Sequence, residues 1–241
     1  PEQLTWTRDF ERWPDWHPTE RRILHEMYDR KQGELFTFTI EGFEQTPFLQ
    51  LPGSDEIRPT WSPDGGSYAY LSDRAAPGSK RYDLYVSAVG KDEAIRVIEG
   101  VRLSDDSRGY CWDPDGRYLL AIGDDAAAGY PFLVAPADGS RKAAALPIDV
   151  TDNLDPALAR IVEPVAAAEG EGARAASSEG AKAASSEGAK AGPEGAKAGP
   201  TSLRLVWVAP DPARRSGDAS WRIVYAAEVP EALILKLVGK G

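Results

Sequence analysis

The chain is poor in the residues that most often carry covalent or metal chemistry. Its 241 residues include one cysteine, Cys111, and two histidines, His17 and His25, too few for an intrachain disulfide or a histidine-rich metal site. No Gly-x-Ser-x-Gly elbow, Gly-rich phosphate loop, His-Glu-x-x-His or Cys-x-x-Cys occurs. These absences argue against the usual hydrolase, nucleotide and zinc chemistries. We therefore predict no catalytic residue, no cofactor and no bound metal.

Long apolar runs and net positive charge are also missing. No stretch approaches the roughly 18 apolar residues of a membrane-spanning helix, and the longest runs, such as residues 203–209, have the length of a strand. The formal net charge is −10, which repels a nucleic-acid backbone. We predict that the chain has no transmembrane segment of its own and no nucleic-acid partner.

A short motif recurs along the chain, and we call its copies the anchor turns. They are Trp-His-Pro at 16–18, Trp-Ser-Pro-Asp-Gly at 61–65, Trp-Asp-Pro-Asp-Gly at 112–116 and a weaker Leu-Asp-Pro at 154–156. The first residues of these copies lie 45, 51 and 42 positions apart. Such a period is typical of a β-propeller. Because Pro presets φ and Gly accepts positive φ, the motif predicts a tight hairpin turn.

The anchor turns are followed by short runs rich in aromatic and β-branched residues. This pattern predicts an all-β, propeller-like array of about four four-stranded blades, at 13–52, 57–99, 108–148 and 152–228. In the fourth blade, 159–162 is the strand expected after the anchor turn. We predict that Trp16, Trp61 and Trp112 are core residues between neighbouring blades. Cys111 is interpreted as a buried apolar residue, His17 as a turn residue and His25 as a packed strand residue.

A family resemblance rests mainly on the second repeat. Its anchor turn at 59–65, the Ser-Asp-Arg at 72–74 and the Asp-Leu-Tyr-Val at 83–86 resemble the repeat of TolB-type, WD-like propellers. The resemblance extends over residues 1–230 outside an insertion and fades in the fourth repeat. Propellers of this type usually have six or seven blades. Three alternatives therefore stay open: a closed four-bladed ring, an open arc whose edges a partner covers, and a part of a longer array.

Two segments depart from the repeat. Residues 166–200 are a low-complexity insertion of Ala, Gly, Glu and Lys, which buries too little apolar surface to offset its ordering entropy. It is interpreted as a flexible surface loop or as a segment that docks on a partner. Residues 229–241 are a tail whose apolar run predicts an extra strand or a short helix. The acidic loops at 104–107, 123–125 and 151–155 are interpreted as solvated, with a calcium site as the alternative.

The functional prediction rests on contacts rather than chemistry. Trp6, Phe10 and Trp13 crowd the N-terminal segment and are the predicted interaction residues, unless they cover the first blade. We predict a non-catalytic protein–protein interaction scaffold, an accessory or extrinsic subunit that stabilises a larger assembly of other protein subunits. A membrane-embedded host is one alternative for that assembly, and the resemblance implies an extracytoplasmic, periplasmic location. The other functions left open are a propeller domain of a prolyl-oligopeptidase-like or lactonase-like hydrolase and a small-ligand or glycan-binding propeller.

Overall fold

The chain forms four antiparallel sheets and one short helix. The computed structural model describes residues 4–5, 7–29, 31–104, 107–148, 157–161, 202–210 and 222–238. Sheet 1 contains β1 (Phe10–Trp16), β2 (Arg22–Tyr28), β3 (Gly33–Thr39) and β4 (Glu44–Leu49). Sheet 2 contains β5 (Glu56–Trp61), β6 (Ser67–Ser72), β7 (Tyr82–Ala88) and β8 (Ala94–Val101).

The second half of the chain continues the pattern. Sheet 3 contains β9 (Tyr110–Trp112), β10 (Tyr118–Ile122), β11 (Phe132–Pro136) and β12 (Ala144–Ala145). Sheet 4 contains β13 (Ala157–Ile161), β14 (Ser202–Pro210) and β15 (Arg222–Pro230), and helix α1 (Glu231–Leu237) follows it. The predicted all-β, propeller-like array is therefore confirmed, with three strands in the described part of the last sheet.

In sheets 1 to 3 an anchor turn joins the first strand to the second. The side chain at the second motif position accepts backbone N–H groups in each case: His17 Nδ1 from Glu20 at 3.0 Å, Ser62 Oγ from Ser67 at 2.9 Å, and Asp113 Oδ1 from Tyr118 at 2.8 Å. These bonds satisfy amides that the tight turn leaves without a ladder partner. His17 is thus a turn residue, as predicted.

Successive anchor turns rest on one another. A Cβ added at Gly65 would lie 2.5 Å from the His17 ring and 3.1 Å from Pro18, and one added at Gly116 would lie 3.3 Å from Pro63. Both glycines have positive φ, +73° and +70°. Glycine is required at these positions because it alone combines that conformation with the close approach of the preceding turn.

Three apolar clusters hold the sheets face to face. One joins sheets 1 and 2, a second joins sheets 2 and 3, and a third joins sheet 3 to sheet 4 and α1. Trp61 lies in the first cluster with 4% of its surface exposed, and Trp112 packs against the second, as predicted. The prediction for Trp16 is wrong, because 60% of that residue is exposed. We call the face of a sheet that contacts the preceding sheet its leading face, and the opposite face its trailing face.

The described part of sheet 4 begins at β13. Residues 157–161 pair with 202–206, and this strand packs beside β9, the first strand of sheet 3. A strand therefore forms close to the predicted one at 159–162. The predicted anchor turn at 154–156 lies outside the described ranges, so the position of this strand within the fourth blade stays a prediction.

In the C-terminal tail, Glu231–Leu237 form helix α1, which is one of the two predicted alternatives. Ile234 and Val238 are buried against Tyr118, Phe132 and Leu203, so α1 covers the junction of sheets 3 and 4. An ion pair of 2.6 Å between Glu231 and Arg117 joins the helix to the third anchor turn. Among the described residues, no substantial packing joins sheet 1 to sheet 4. The described array is thus an open arc.

Candidate interaction surface

In each of the first three repeats the chain is kinked three residues before the anchor tryptophan, within β1, within β5 and just before β9. Trp13, Arg58 and Gly109 occupy this position, with φ of +53°, +52° and +81°. In β1 and β5 the kink coincides with a shift of register, between Arg12 and Asp15 and between Ile57 and Thr60. It is therefore a β-bulge, which exchanges the two faces of the strand at that point.

The bulge separates the aromatic residues that the sequence places together. Phe10 pairs with Tyr28 and lies on the trailing side of sheet 1, whereas Trp16 pairs with Ile23 on the leading side. Both are largely exposed, at 58% and 60%. Trp13 lies in the bulge itself and is half-buried. Trp6, the third predicted interaction residue, lies outside the described residues.

Trp13 belongs to a group of side chains that links β1 to β5, which we call the cross-strand cluster. The guanidinium of Arg58 lies 4.7 Å from its ring centroid and that of Arg108 lies 5.8 Å away. Arg108 donates to the carbonyls of Pro59, at 3.0 Å, and Pro14, at 3.4 Å, while Arg58 donates to the Ser107 carbonyl. These bonds satisfy backbone groups on the open edges of β1 and β5. The geometry thus gives Trp13 a structural role.

Asp15 of β1 also belongs to the cross-strand cluster. Its carboxylate accepts the backbone N–H of Trp61 at 2.7 Å and lies 3.6 Å from Arg108. Burial raises the pKa of Asp15, and the Trp61 amide and Arg108 oppose that rise. The group is therefore a bridge between sheets 1 and 2.

Three more carboxylates are buried where sheets 1 and 2 meet. Asp55 accepts bonds from the Tyr82 hydroxyl at 2.6 Å, Lys80 at 2.5 Å and the Gly33 amide at 3.0 Å. Burial acts to raise its pKa, but these three donors outweigh that effect and lower it. Glu26 accepts the Arg58 amide at 3.1 Å, and its pKa is raised by burial.

Glu56, the third of these carboxylates, has less than 1% of its surface exposed. It accepts hydroxyl bonds from Ser54 at 2.7 Å and Ser72 at 3.0 Å, and burial raises its pKa. Every one of the three groups is bonded within the protein. Their arrangement is that of a structural network and gives no general acid or base that faces solvent.

The leading face of sheet 1 carries the most accessible apolar surface. Trp16 lies at one side and Phe43, 53% exposed, lies beside Phe38 with a ring-centroid distance of 6.3 Å. The same face carries a largely apolar cavity of about 200 Å³. Its walls are Leu4, Thr5, Glu11, Arg12, Pro14, Ile23, His25 and Phe38. We call Trp16, Phe43 and this cavity the leading surface.

A polar relay lies at one wall of the cavity. Gln45 donates to Glu11 at 3.1 Å and to His25 Nε2 at 3.3 Å, while His25 Nδ1 donates to the Glu26 carbonyl at 3.2 Å. Burial lowers the pKa of His25, against the opposing effects of the Glu26 carbonyl and Glu11. His25 is thus a packed strand histidine, as predicted, and its neutral ring orders the cavity wall.

Sequence reasoning missed Phe43 and the cavity. The one available signal is a bulky apolar residue, Phe43, directly after Gly42, a residue type that favours turns, where polar residues are usual. The cavity has no such signal, because it forms between β1, β2, β3 and the segment at 4–5. Within the described ranges, no cluster of three or more His, Cys, Asp or Glu side chains could hold a metal ion. Within the same ranges, no helix is both long and apolar enough to cross a bilayer.

Sequence comparison links the repeats to TolB. The chain is 31% identical over 101 residues to the Tol-Pal system protein TolB of Alcanivorax borkumensis, a match that covers 40% of this chain and 21% of that protein. The repeats are TolB-like. The chain spans about a fifth of the length of this relative. No protein-family model matches the sequence.

Structural comparison supports the propeller architecture. The tricorn protease superposes with a TM-score of 0.51 and 9% identity, covering 91% of this chain and 18% of that chain. TolB from Acinetobacter baumannii gives a TM-score of 0.49 and 14% identity, covering 64% of this chain and 36% of that chain. At these identities the similarity describes the fold alone.

Proposed function

We propose that this chain is a non-catalytic interaction module of propeller type, which binds a protein partner through the leading surface of sheet 1. The observation that carries the proposal is the exposure of Trp16 on the sheet face that also carries an apolar cavity. The corresponding leading faces of sheets 2 and 3 are buried against the sheets that precede them. Exposed aromatic residues around an apolar pocket are typical of the energetic centre of a protein interface.

The wider context supports an accessory role. The sequence similarity is to a protein of the Tol-Pal system, which favours a subunit that acts with other proteins in a larger assembly, outside the cytoplasm. The chain corresponds to about a fifth of that relative, so this role and the periplasmic location are part of the proposal. Among the described residues, the buried carboxylates are held by internal donors, which supports binding rather than catalysis.

Of the predicted interaction residues, Phe10 remains a candidate contact. It is as exposed as Trp16 but lies on the other side of β1, so a partner that covers one of these rings need not cover the other. Trp13 is half-buried in the bulge, so a direct contact of its accessible part with the partner also stays a proposal.

The test compares the two faces of β1. Partners are recovered from an extract of the native organism with the tagged chain, identified by mass spectrometry, and then purified for titration calorimetry. We expect Trp16→Ala to weaken binding at least tenfold, since a buried aromatic contact is lost. Ile95→Ala, in β8 of sheet 2 and 45% exposed, is the matched control and leaves binding unchanged. An identified partner whose affinity is insensitive to Trp16→Ala but falls with Phe10→Ala would move the site to the trailing side.

A further inference from the structure

A cavity of about 500 Å³ lies between sheets 2 and 3, and we call it the lateral groove. One wall is the segment 96–99 of β8, the last strand of sheet 2, and the other is the segment 139–143, which joins β11 to β12. Its apolar lining includes Val97 and Leu133, which we call its floor. Both take part in the apolar packing between sheets 2 and 3. The groove is therefore built on the core of the array, and its volume is within the range of ligand sites.

The wall at 139–143 is held against β8. A Cβ added at Gly139 would lie 2.3 Å from Cγ2 of Ile95, so the backbone of this turn contacts β8 directly. The Gly139 N–H donates to the Pro136 carbonyl at 3.1 Å, which closes the turn. The residues that follow in the wall thus have a fixed backbone position. A site that is ordered in advance loses less entropy when it binds.

The side chains that line the groove carry three positive charges and one negative charge. On the β8 wall, the Arg96 guanidinium lies 3.1 Å from Asp83 and 2.7 Å from Glu99, so its charge is compensated. On the opposite wall, Arg141 and Lys142 are exposed. Among the described residues, no carboxylate lies within ion-pair distance of either of them. This wall therefore presents two uncompensated cations on a chain whose net charge is −10.

The two cations and the floor together indicate a ligand with both anionic and apolar groups. Arginine forms paired hydrogen bonds with carboxylates, and adjacent cations raise the local concentration of anions. Within the described residues no aromatic side chain lines the groove, which argues against a nucleobase, since bases stack on aromatic rings. The segment 96–99 extends over roughly 10 Å, the length of about three residues of an extended peptide. Alternate side chains of such a peptide point to opposite sides, so one segment presents carboxylates and apolar groups together.

We infer that the lateral groove binds an extended acidic segment of a partner protein. Carboxylates of the segment pair with Arg141 and Lys142, and its apolar side chains contact the floor. The net charge of −10 repels such a segment at long range, so binding depends on short-range contacts with these two cations. The lateral groove lies on sheets 2 and 3, so this inference goes beyond the function proposed for the leading surface and does not depend on it.

The test is fluorescence anisotropy of the full chain with a labelled hexapeptide of alternating glutamate and valine. We expect saturable binding, which Arg141→Glu combined with Lys142→Glu weakens at least tenfold, because two attractive contacts become repulsive. The matched control combines Arg81→Glu with Lys91→Glu, two exposed cations that do not line this groove. It changes the net charge equally and should alter the affinity by less than about twofold. Unchanged circular dichroism of both variants verifies folding, which is expected because all four side chains are exposed.

Two further peptides separate the two parts of the site. Serine in place of valine should weaken binding because the contact with the floor is lost, and lysine in place of glutamate should abolish it. Three results would overturn the inference: no saturable binding of the first peptide, equal weakening by the two charge variants, and displacement of that peptide by a heparin hexasaccharide at a lower concentration than by unlabelled peptide. Trp16→Ala leaves peptide binding unchanged, so failure of this inference and failure of the proposed function are distinguishable.

Discussion

Two junctions between neighbouring sheets are stabilised by different kinds of side chain. Where sheets 2 and 3 meet, the buried cluster is formed by aliphatic and aromatic side chains such as Leu71, Leu84 and Leu119. Where sheets 1 and 2 meet, aromatic rings are accompanied by Glu26, Asp55 and Glu56, each with its own donors. We call these the apolar junction and the polar junction.

The two junctions therefore contribute to the stability of the array through different interactions. The apolar junction depends on buried area and close packing, which are insensitive to pH. The polar junction depends on directional bonds to buried carboxylates, so the loss of one partner leaves a charge or donor without compensation. The polar junction also adjoins the leading surface, because β1 and β2 contribute to both.

The largest effect is expected from a cavity in the apolar junction. Leu84 is fully buried there, so Leu84→Ala removes packed methyl groups and leaves a void. We expect the free energy of unfolding to fall by about 2–5 kcal/mol in urea denaturation at pH 7. Ile95→Ala in the same sheet, where the residue is 45% exposed, is the control and has a smaller effect. A loss below about 1 kcal/mol at Leu84 would mean that this junction does not carry the array.

In the polar junction, Asp55→Asn exchanges one acceptor oxygen for an amide donor. That donor faces Tyr82 or Lys80, which themselves donate to Asp55. We expect a loss of about 2–3 kcal/mol at pH 7, since bonds to a charged group are lost. Because the pKa of Asp55 is lowered, its contribution is present above the ordinary pKa of aspartate and is lost as pH falls through the lowered value.

The expected result at acid pH is therefore convergence of the wild type and Asp55→Asn. Denaturation curves at pH 7 and below the pKa of the carboxyl measure it. Asp92→Asn, on an exposed turn of the same sheet, serves as the control and shifts stability by less than about 0.5 kcal/mol. A constant difference at all pH values would show that the Asp55 charge does not matter.

The contacts between successive anchor turns predict different losses of stability for two glycine substitutions. Gly65→Ala places a methyl group 2.5 Å from the His17 ring at a φ of +73°, and we expect a loss of about 2–3 kcal/mol. Gly116→Ala has a similar φ but its nearest contact is 3.3 Å away, so about 1 kcal/mol is expected. Thermal unfolding of both variants, with and without His17→Ser, separates strain from contact. Equal losses in the two glycine variants would refute the steric part.

The smallest change in the free energy of unfolding is expected for Glu26→Gln, which tests the pH dependence of the polar junction. Burial raises the pKa of Glu26, so the folded protein holds the proton more tightly than the unfolded chain does. Stability therefore falls as pH rises from the ordinary pKa of glutamate to the raised value. Glu26→Gln removes this fall, and the change at pH 7 should stay within about 1 kcal/mol. Urea denaturation across this pH range checks the slope, and an unchanged slope would contradict it.

Much of the fold was predictable because the anchor turn is a local signal. Its Pro and Gly residues determine a hairpin wherever they occur, and the strands follow from aromatic and β-branched runs. The exposure of Trp16 was not predictable, since its motif is nearly that of Trp61 and only the neighbouring sheet differs. Both positions have the Trp-x-Pro pattern, but the burial of the tryptophan depends on the neighbouring sheet.

The separation of Phe10 from Trp16 was also beyond the sequence. Alternation along a strand would place residues an even number apart on one face, but the bulge at Trp13 adds a residue and exchanges the faces. Trp13 and Arg58 are not residue types that favour positive φ, so the sequence gives no hint of either bulge.

The stacking of anchor turns has a consequence for where this chain can grow. Each turn in sheets 1 and 2 supports the glycine of the next turn, so lengthening it would disturb the following repeat. The last repeat supports none within the described array, and its first and second strands, β13 and β14, are the ones that the long insertion separates. Each doubling of a loop costs only about 0.6 kcal/mol. We therefore expect inserted sequence to be tolerated better between β13 and β14 than in the first two anchor turns. A reporter domain would be best inserted between β13 and β14.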